Sequence, residues 1–176
     1  ASRSTFEAKA FRDIVLIDEF FVTLTDSVRV TLVLIVDQAS RLSVTWPTLK
    51  HAVDADDIAE ALERAWLSWA GSMKVLRCDP AKAHVAAAVE RGCRAHGATP
   101  DITPGESHNP QAVVERRVLA WKEVFVRVNR ECQLTEKDRI WAWTSRIDAA
   151  LNMHLSTLLG TQSGALAGRA QTAQGT

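Results

Sequence analysis

Three acidic residues stand where an acid needs a reason. Asp18 lies inside the apolar run IVLIDEFFVTL, Asp79 closes the short run KVLRCD, and Glu115 opens a stretch with helical periodicity. A carboxylate among strand apolar residues is costly unless it meets a partner, because water no longer solvates its charge. Sixty residues separate Asp18 from Asp79, and thirty-five separate Asp79 from Glu115. If the strands carrying the first two are neighbours, the three side chains can converge. Clustered carboxylates repel one another unless a cation neutralises them, and hard oxygen ligands select Mg²⁺ or Mn²⁺. Two such ions, about 3.5 to 4 Å apart, would activate a nucleophilic oxygen and stabilise the leaving oxygen of a phosphodiester. The interval alone does not decide, since Asp54 and Glu90 share it. Asp54, however, reads as a helix cap and Glu90 as a surface helical acid. The competing reading is three unrelated surface or salt-bridged acids.

The elements that must position these acids follow from the apolar pattern. Ile14 to Leu24, Val28 to Asp37 and the segment LSVTW are strand-length apolar runs, the first two separated by Thr25, Asp26 and Ser27, residues that bond their own backbone in turns. Runs this continuous predict a sheet covered on both faces. Asp54 caps a helix to about Ala70, with Ile58, Leu62, Trp66 and Trp69 at helical spacing and Gly71 as its stop. Lys74 to Arg77 predicts a fourth strand, Lys82 to His96 a second helix closed by Gly97, and Pro100 to Thr103 a fifth strand. Pro104 to Pro110 predicts a mobile loop. Val114, Val118, Trp121, Phe125 and Val128 then mark an amphipathic helix to about Glu131, and a further helix is expected from Glu136 to Leu159. Three strands in a meander followed by helix-separated strands predict an α/β fold. It would be a ribonuclease H-like mixed five-stranded sheet, an antiparallel meander plus parallel strands, with helices on both faces. The expected organisation is an N-terminal extension over 1–10, one domain over 11–160, and a disordered tail or linker over 161–176.

Composition narrows the rest. With 176 residues, 47% hydrophobic and 24% charged, the chain can bury a core without disulfide or metal staples. Cys78, Cys93 and Cys132 form no C-x-x-C pair, which argues against a zinc ribbon and for buried thiols in a reducing compartment. No apolar run approaches the length of a membrane span, and the first residues lack the apolar stretch of a signal peptide, so no membrane association or secretion is expected. The 21 basic residues balance the 21 acidic ones, which excludes a simple polybasic nucleic-acid binder.

The residues around the acids resemble the catalytic core of retroviral and retrotransposon integrases, the copia-type class in particular, over about 11–160. FRDIVLIDEFF is similar to that family's first-acid strand. LVLIVDQASRLSVTWP resembles its passage of strand, V-D-x-x-S-R and second strand, and GSMKVLRCDP resembles the segment carrying its second acid. AHGATPDITPGESHNPQAVVERR is similar to the loop and helix start with the third, and WKEVF to its long helix. The resemblance implies a DNA integrase, a two-metal polynucleotidyl transferase that processes element DNA ends and joins them to target DNA. Asp18, Asp79 and Glu115 would be catalytic and hold two Mg²⁺ or Mn²⁺ ions. Asp37 matches a family Asp and reads as structural, bonded near Ser40 or Arg41. Gln111 stands in the loop motif and implies a DNA contact. Element ends and target DNA are the implied partners, with homo-oligomerisation and action on chromosomal DNA in the nucleus, otherwise the cytoplasm. The chain departs from the pattern at Pro80 to His84, after the second acid, and at Ala112, where a Gly is usual. Loss of that Gly would stiffen a loop expected to flex. The integrase zinc-binding domain has no counterpart here, so the chain reads as an excised core or a degenerate copy.

Charge supports a nucleic-acid face. Residues 111–146 hold eight basic residues against five acids, whereas 1–57 hold six against nine. Lys122 stands two helical turns after Glu115 and shares its face, which makes it a phosphate-contact candidate beside Arg116 and the loop residue His108. Trp121, Trp141 and Trp143, at helical spacing among apolar neighbours, read as core residues. Two rival functions remain at this level: a catalytically inactive integrase-derived module that binds DNA or a partner, and a ribonuclease H-like nuclease that cleaves without joining.

Overall fold

The computed structural model describes residues 7–50, 52–102, 108–136 and 139–153. Five strands, β1 (Ile14–Thr23), β2 (Arg29–Asp37), β3 (Ser43–Thr48), β4 (Val75–Arg77) and β5 (Thr99–Asp101), form one sheet in the order β3-β2-β1-β4-β5. β1, β2 and β3 pair antiparallel, while β4 runs parallel to β1 and β5 parallel to β4. The expected mixed sheet is therefore present, with β1 at its centre. Along β2 every residue from Leu32 to Val36 is fully buried, which is why that run has no polar alternation.

On one face lie α1 (Ala55–Ala61), a π-helical turn (Leu62–Leu67), α2 (Ser68–Ala70) and α3 (Ala83–His96). They bury Ile58, Leu62, Trp66, Val85 and Val89 against Val15, Ile17, Val33 and Ile35. Asp54 closes a capping box at the start of α1, accepting from the Asp56 and Asp57 amides while the Asp57 side chain accepts from the Asp54 amide. The sequence predicts one helix here; the π-helical turn in its middle has no signal in the apolar spacing. Gly97 ends α3 in the left-handed conformation at φ 70°, and a Cβ on Gly92 would stand 2.8 Å from Leu62 Cδ2, so glycine permits the close approach of α3.

The other face carries α4 (His108–Cys132) and α5, residues 140–153, which bury Val114, Trp121, Phe125, Ile140 and Ile147 against Leu16, Phe20, Leu32 and Leu34. Trp121 is fully buried, packed edge-on to Phe20 at 5.3 Å and stacked on Phe125 at 5.6 Å. α4 begins three residues earlier than expected. His108 is thus its first residue and not part of a loop, and Ala112 sits inside the helix, where Ala is favoured over Gly by about 1 kcal/mol. The remainder of the expected loop, 104–107, and the expected tail, 161–176, lie outside the described residues, as does Thr103 at the end of the expected fifth strand. Of the cysteines, Cys78 and Cys93 are buried as expected, but Cys132 is exposed at the end of α4.

Asp37 is the structural acid that the sequence suggests. Its fully buried carboxylate accepts from the Ser40 amide (2.7 Å) and hydroxyl (2.8 Å), and from the Arg12 amide (2.8 Å), tying two chain reversals to the end of β2. Arg12 and Arg41, at φ 68° and 66°, hold left-handed conformations beside it.

A second buried acid, Asp148 on α5, has no precedent in the sequence reading. It accepts from the Thr45 amide (2.7 Å), the Thr45 hydroxyl (2.8 Å) and Trp121 Nε1 (3.1 Å), locking α5 to β3 and α4. Burial pushes its pKa up to about 6, against the pull of these donors and of Arg117. A folded-state value above the unfolded 3.8 means that the native state binds the extra proton. The contribution of Asp148 to stability is therefore fully present below about pH 4 and lost as pH rises through about 6. The shift corresponds to roughly 3 kcal/mol. Urea unfolding of wild type and Asp148→Asn at pH 4 and pH 6.5 should show their stability difference moving by that order in favour of Asn at the higher pH. A pH-independent difference would mean that Asp148 is ionised at both.

Candidate active site

Parallel pairing brings the strand that carries the first acid beside the strand that leads into the second. Ile14 faces Val75, Val15 faces Leu76 and Leu16 faces Arg77; Asp18 and Asp79 each follow two residues after the last of these pairs. Asp18 is the fifth of the ten residues of β1, past its paired segment, and Asp79 lies two residues beyond the C-terminal end of β4, the end of a parallel strand at which open α/β sheets bind ligands. Each is half-buried. β4 stops at Arg77, which leaves the second half of β1 without a neighbour on that side.

The carboxylates are not bare. Asp18 Oδ1 accepts from the Glu19 amide at 2.8 Å and from Lys82 Nζ at 2.6 Å, and the same ammonium donates to the Glu19 carbonyl at 2.8 Å. Asp79 Oδ1 accepts from the Ala81 amide at 2.9 Å, a local turn that carries the chain into Lys82. Glu19 Oε2 in turn lies 3.0 Å from His84 Nε2. Burial pushes the Cys78 thiol up to about 12, and the charges of Asp79, Asp18 and Asp101 act in the same direction. The local field is thus negative, and Cys78 is no nucleophile at neutral pH.

Glu115 is exposed in the first half of α4. Among the described residues, no group of three or more His, Cys, Asp or Glu side chains is gathered closely enough to hold a metal ion. Gln111 and Arg116 are exposed on α4, and His108 occupies its first turn. Lys122 reaches β1, its Nζ 5.8 Å from the centre of the Phe20 ring and 5.2 Å from that of Phe21, while Arg29 Cζ lies 3.5 Å above Phe21. Lys122 therefore lies over the same strand as Asp18, two to three residues farther along. Arg117 turns away from any DNA role: it bonds the Ser43 hydroxyl and the Asn152 carbonyl, bracing α4 against β3 and α5.

Sequence reasoning passed over Lys82, and set His84 aside because the histidines share no metal-ligand spacing. Both fall in the Pro80 to His84 stretch, and a cation three residues after a suspect acid was the available signal.

No sequence-family model matches the chain, and no curated protein matches it in sequence. Solved structures do match. The catalytic core domain of HTLV-2 integrase in complex with magnesium, in its dimeric form, superposes with a TM-score of 0.59 at 15% identity, over 76% of this chain and 83% of that one. The catalytic core domain of BIV integrase gives 0.55 at 18% identity, over 84% and 83%. A simian T-cell lymphotropic virus intasome in complex with PP2A regulatory subunit B56 gamma gives 0.61 at 13% identity, over 72% of this chain and 45% of that one. At these identities the likeness is one of fold, and the chain has the ribonuclease H-like α/β fold of retroviral integrase catalytic cores.

Proposed function

We propose that the chain is a DNA-integration core, a polynucleotidyl transferase that processes element DNA ends and joins them to target DNA with two Mg²⁺ or Mn²⁺ ions. The observation that carries this reading is the parallel pairing of β1, which holds Asp18, with β4, which leads into Asp79, in a sheet with the fold of integrase cores. The magnesium in the HTLV-2 core supports the choice of cation, and the dimeric form of that core and the viral intasome support a homo-oligomer working on DNA. Action on chromosomal DNA would place it in the nucleus, otherwise the cytoplasm. Among the described residues no helix is long and apolar enough to cross a membrane.

The candidate donors are carboxylate oxygens, the chemistry a hard cation selects, though the described side chains are not gathered into a closed set. Asp18 already draws an ammonium to 2.6 Å, which supports a positive charge being held at that position. Asp18 and Asp79 would hold the ions, with Glu115 as the further ligand from α4. Bound ions would supply charge neutralisation at the reacting phosphodiester. The protein's own part is to hold one carboxylate within β1 and the other in the turn after β4 with little freedom, to set a negative field through their charges, and to steady the DNA backbone through Lys122, Arg116, Gln111 and His108. The test is incubation of the purified protein with a short duplex and a plasmid target in Mn²⁺. Joined product that disappears in EDTA supports the proposal, and cleaved but unjoined DNA would make the protein a nuclease. The salt bridge between Lys82 and Asp18 favours a second reading, an inactive module that binds DNA without metal, which metal-independent binding with no product of either kind would establish.

Lys122→Ala should weaken duplex binding and lower the dependence of log K on log salt by about 0.9, the loss of one phosphate contact. An unchanged slope in fluorescence-anisotropy titrations would place Lys122 off the DNA path.

A further inference from the structure

Lys82 occupies a position that disfavours it. It is the N-cap residue of α3, at φ −101° and ψ 87°, and makes no capping bond with its side chain. Caps favour Ser, Thr, Asp or Asn, and a cation meets the positive end of the helix macrodipole there. Its compensation comes from across the sheet. The ammonium, with its side chain 30% exposed, donates to both Asp18 Oδ1 and the Glu19 carbonyl, and its backbone amide bonds the Asp79 carbonyl at 3.3 Å. The turn of the second acid thereby delivers a lysine to the first.

We propose that Lys82 is a built-in counter-cation of the acid pair, a monovalent occupant that a divalent ion must displace before Asp18 can ligate it. This rests on the assignment of Asp18 and Asp79 as the cation-binding acids. An ammonium bonded to a carboxylate oxygen takes one of its lone-pair directions and repels an incoming divalent charge at close range. It also bonds the carbonyl of Glu19 on an otherwise open strand edge, so the closed form is stabilised by two donor contacts and not by charge alone. The lysine sets the cation concentration at which the site fills.

Mn²⁺ titrations followed by water-proton relaxation, on the whole chain without DNA, test this. Lys82→Met keeps the length and apolar stem of the side chain and removes the ammonium. It should tighten Mn²⁺ binding at least about tenfold, whereas Lys82→Arg should stay near wild type. The gain must vanish when Asp18→Asn is added, and circular dichroism should show all variants folded. A purely edge-covering lysine would change thermal stability and leave Mn²⁺ affinity alone, which would overturn the proposal. Equal binding by wild type and Lys82→Met, lost in both with Asp18→Asn, would overturn it while leaving the functional assignment intact. Absence of Asp18-dependent Mn²⁺ binding in every variant would overturn both.

Discussion

Asp18→Asn is expected to lower Mn²⁺-dependent strand transfer by about 10²- to 10³-fold while the protein stays folded. On the proposed function, removing one ligand charge would withdraw several kcal/mol of charge stabilisation at the reacting phosphodiester, and each 1.36 kcal/mol is about tenfold in rate. The fold loses little. The ion pair with Lys82 is partly exposed, the kind worth up to about 1 kcal/mol, so the melting temperature should move by no more than about 2 to 4 °C. Asp79→Asn should behave alike, because an Asn oxygen still accepts from the Ala81 amide that Asp79 bonds now. Asp54→Asn is the control. Asn serves as an N-cap about as well as Asp, and Asp54 caps α1 away from both acids in the chain, so activity should not change. Strand-transfer rates beside thermal melts decide the matter. Equal damage from Asp54→Asn, or full activity in Asp18→Asn, would remove the acids from the chemistry.

Trp121→Ala should destabilise the domain by about 3 to 5 kcal/mol, the range for deleting a large buried ring. The ring is fully buried between Phe20 and Phe125, and its Nε1 is one of the donors to Asp148. Truncation therefore opens a cavity and leaves a buried carboxylate with one donor fewer. Trp121→Phe separates the two effects. It keeps most of the apolar contact and removes only the donor, so it should cost about 1 to 3 kcal/mol. Urea midpoints for the two variants provide the comparison, and a loss under about 1 kcal/mol for Trp121→Ala would show that the core repacks around the gap. Because Trp121 lies one residue before Lys122, the same variant should also blunt DNA binding if α4 shifts.

The strands and their meander were legible in the chain because apolar period and turn chemistry are local. The continuous run from Leu32 to Val36 announces burial on both faces, and Thr25 to Ser27 and Gly97 mark where the chain turns or stops. Asp18 and Asp79 were legible as suspects for the same reason, an acid inside or closing a strand being a local anomaly. Asp37, set by the resemblance in a V-D-x-x-S-R passage and read as structural, does bond the Ser40 amide and hydroxyl. The start of α4 was misplaced by three residues, since His108, Asn109 and Pro110 carry no apolar period although Pro is tolerated in a first helical turn. What lies across the sheet was hidden. Nothing near Asp148 in sequence reveals that Thr45, more than a hundred residues away, and Trp121 both donate to it, and nothing near Asp18 reveals Lys82, because these contacts join segments whose separation along the chain says nothing of distance in space. Sequence by itself determined the elements, the fold class and the acids worth suspecting. Only the tertiary structure decided which acid is buried and bridged, and which cation sits on the first carboxylate, because hydrogen bonds and ion pairs form only where folding brings their partners within about 3 Å.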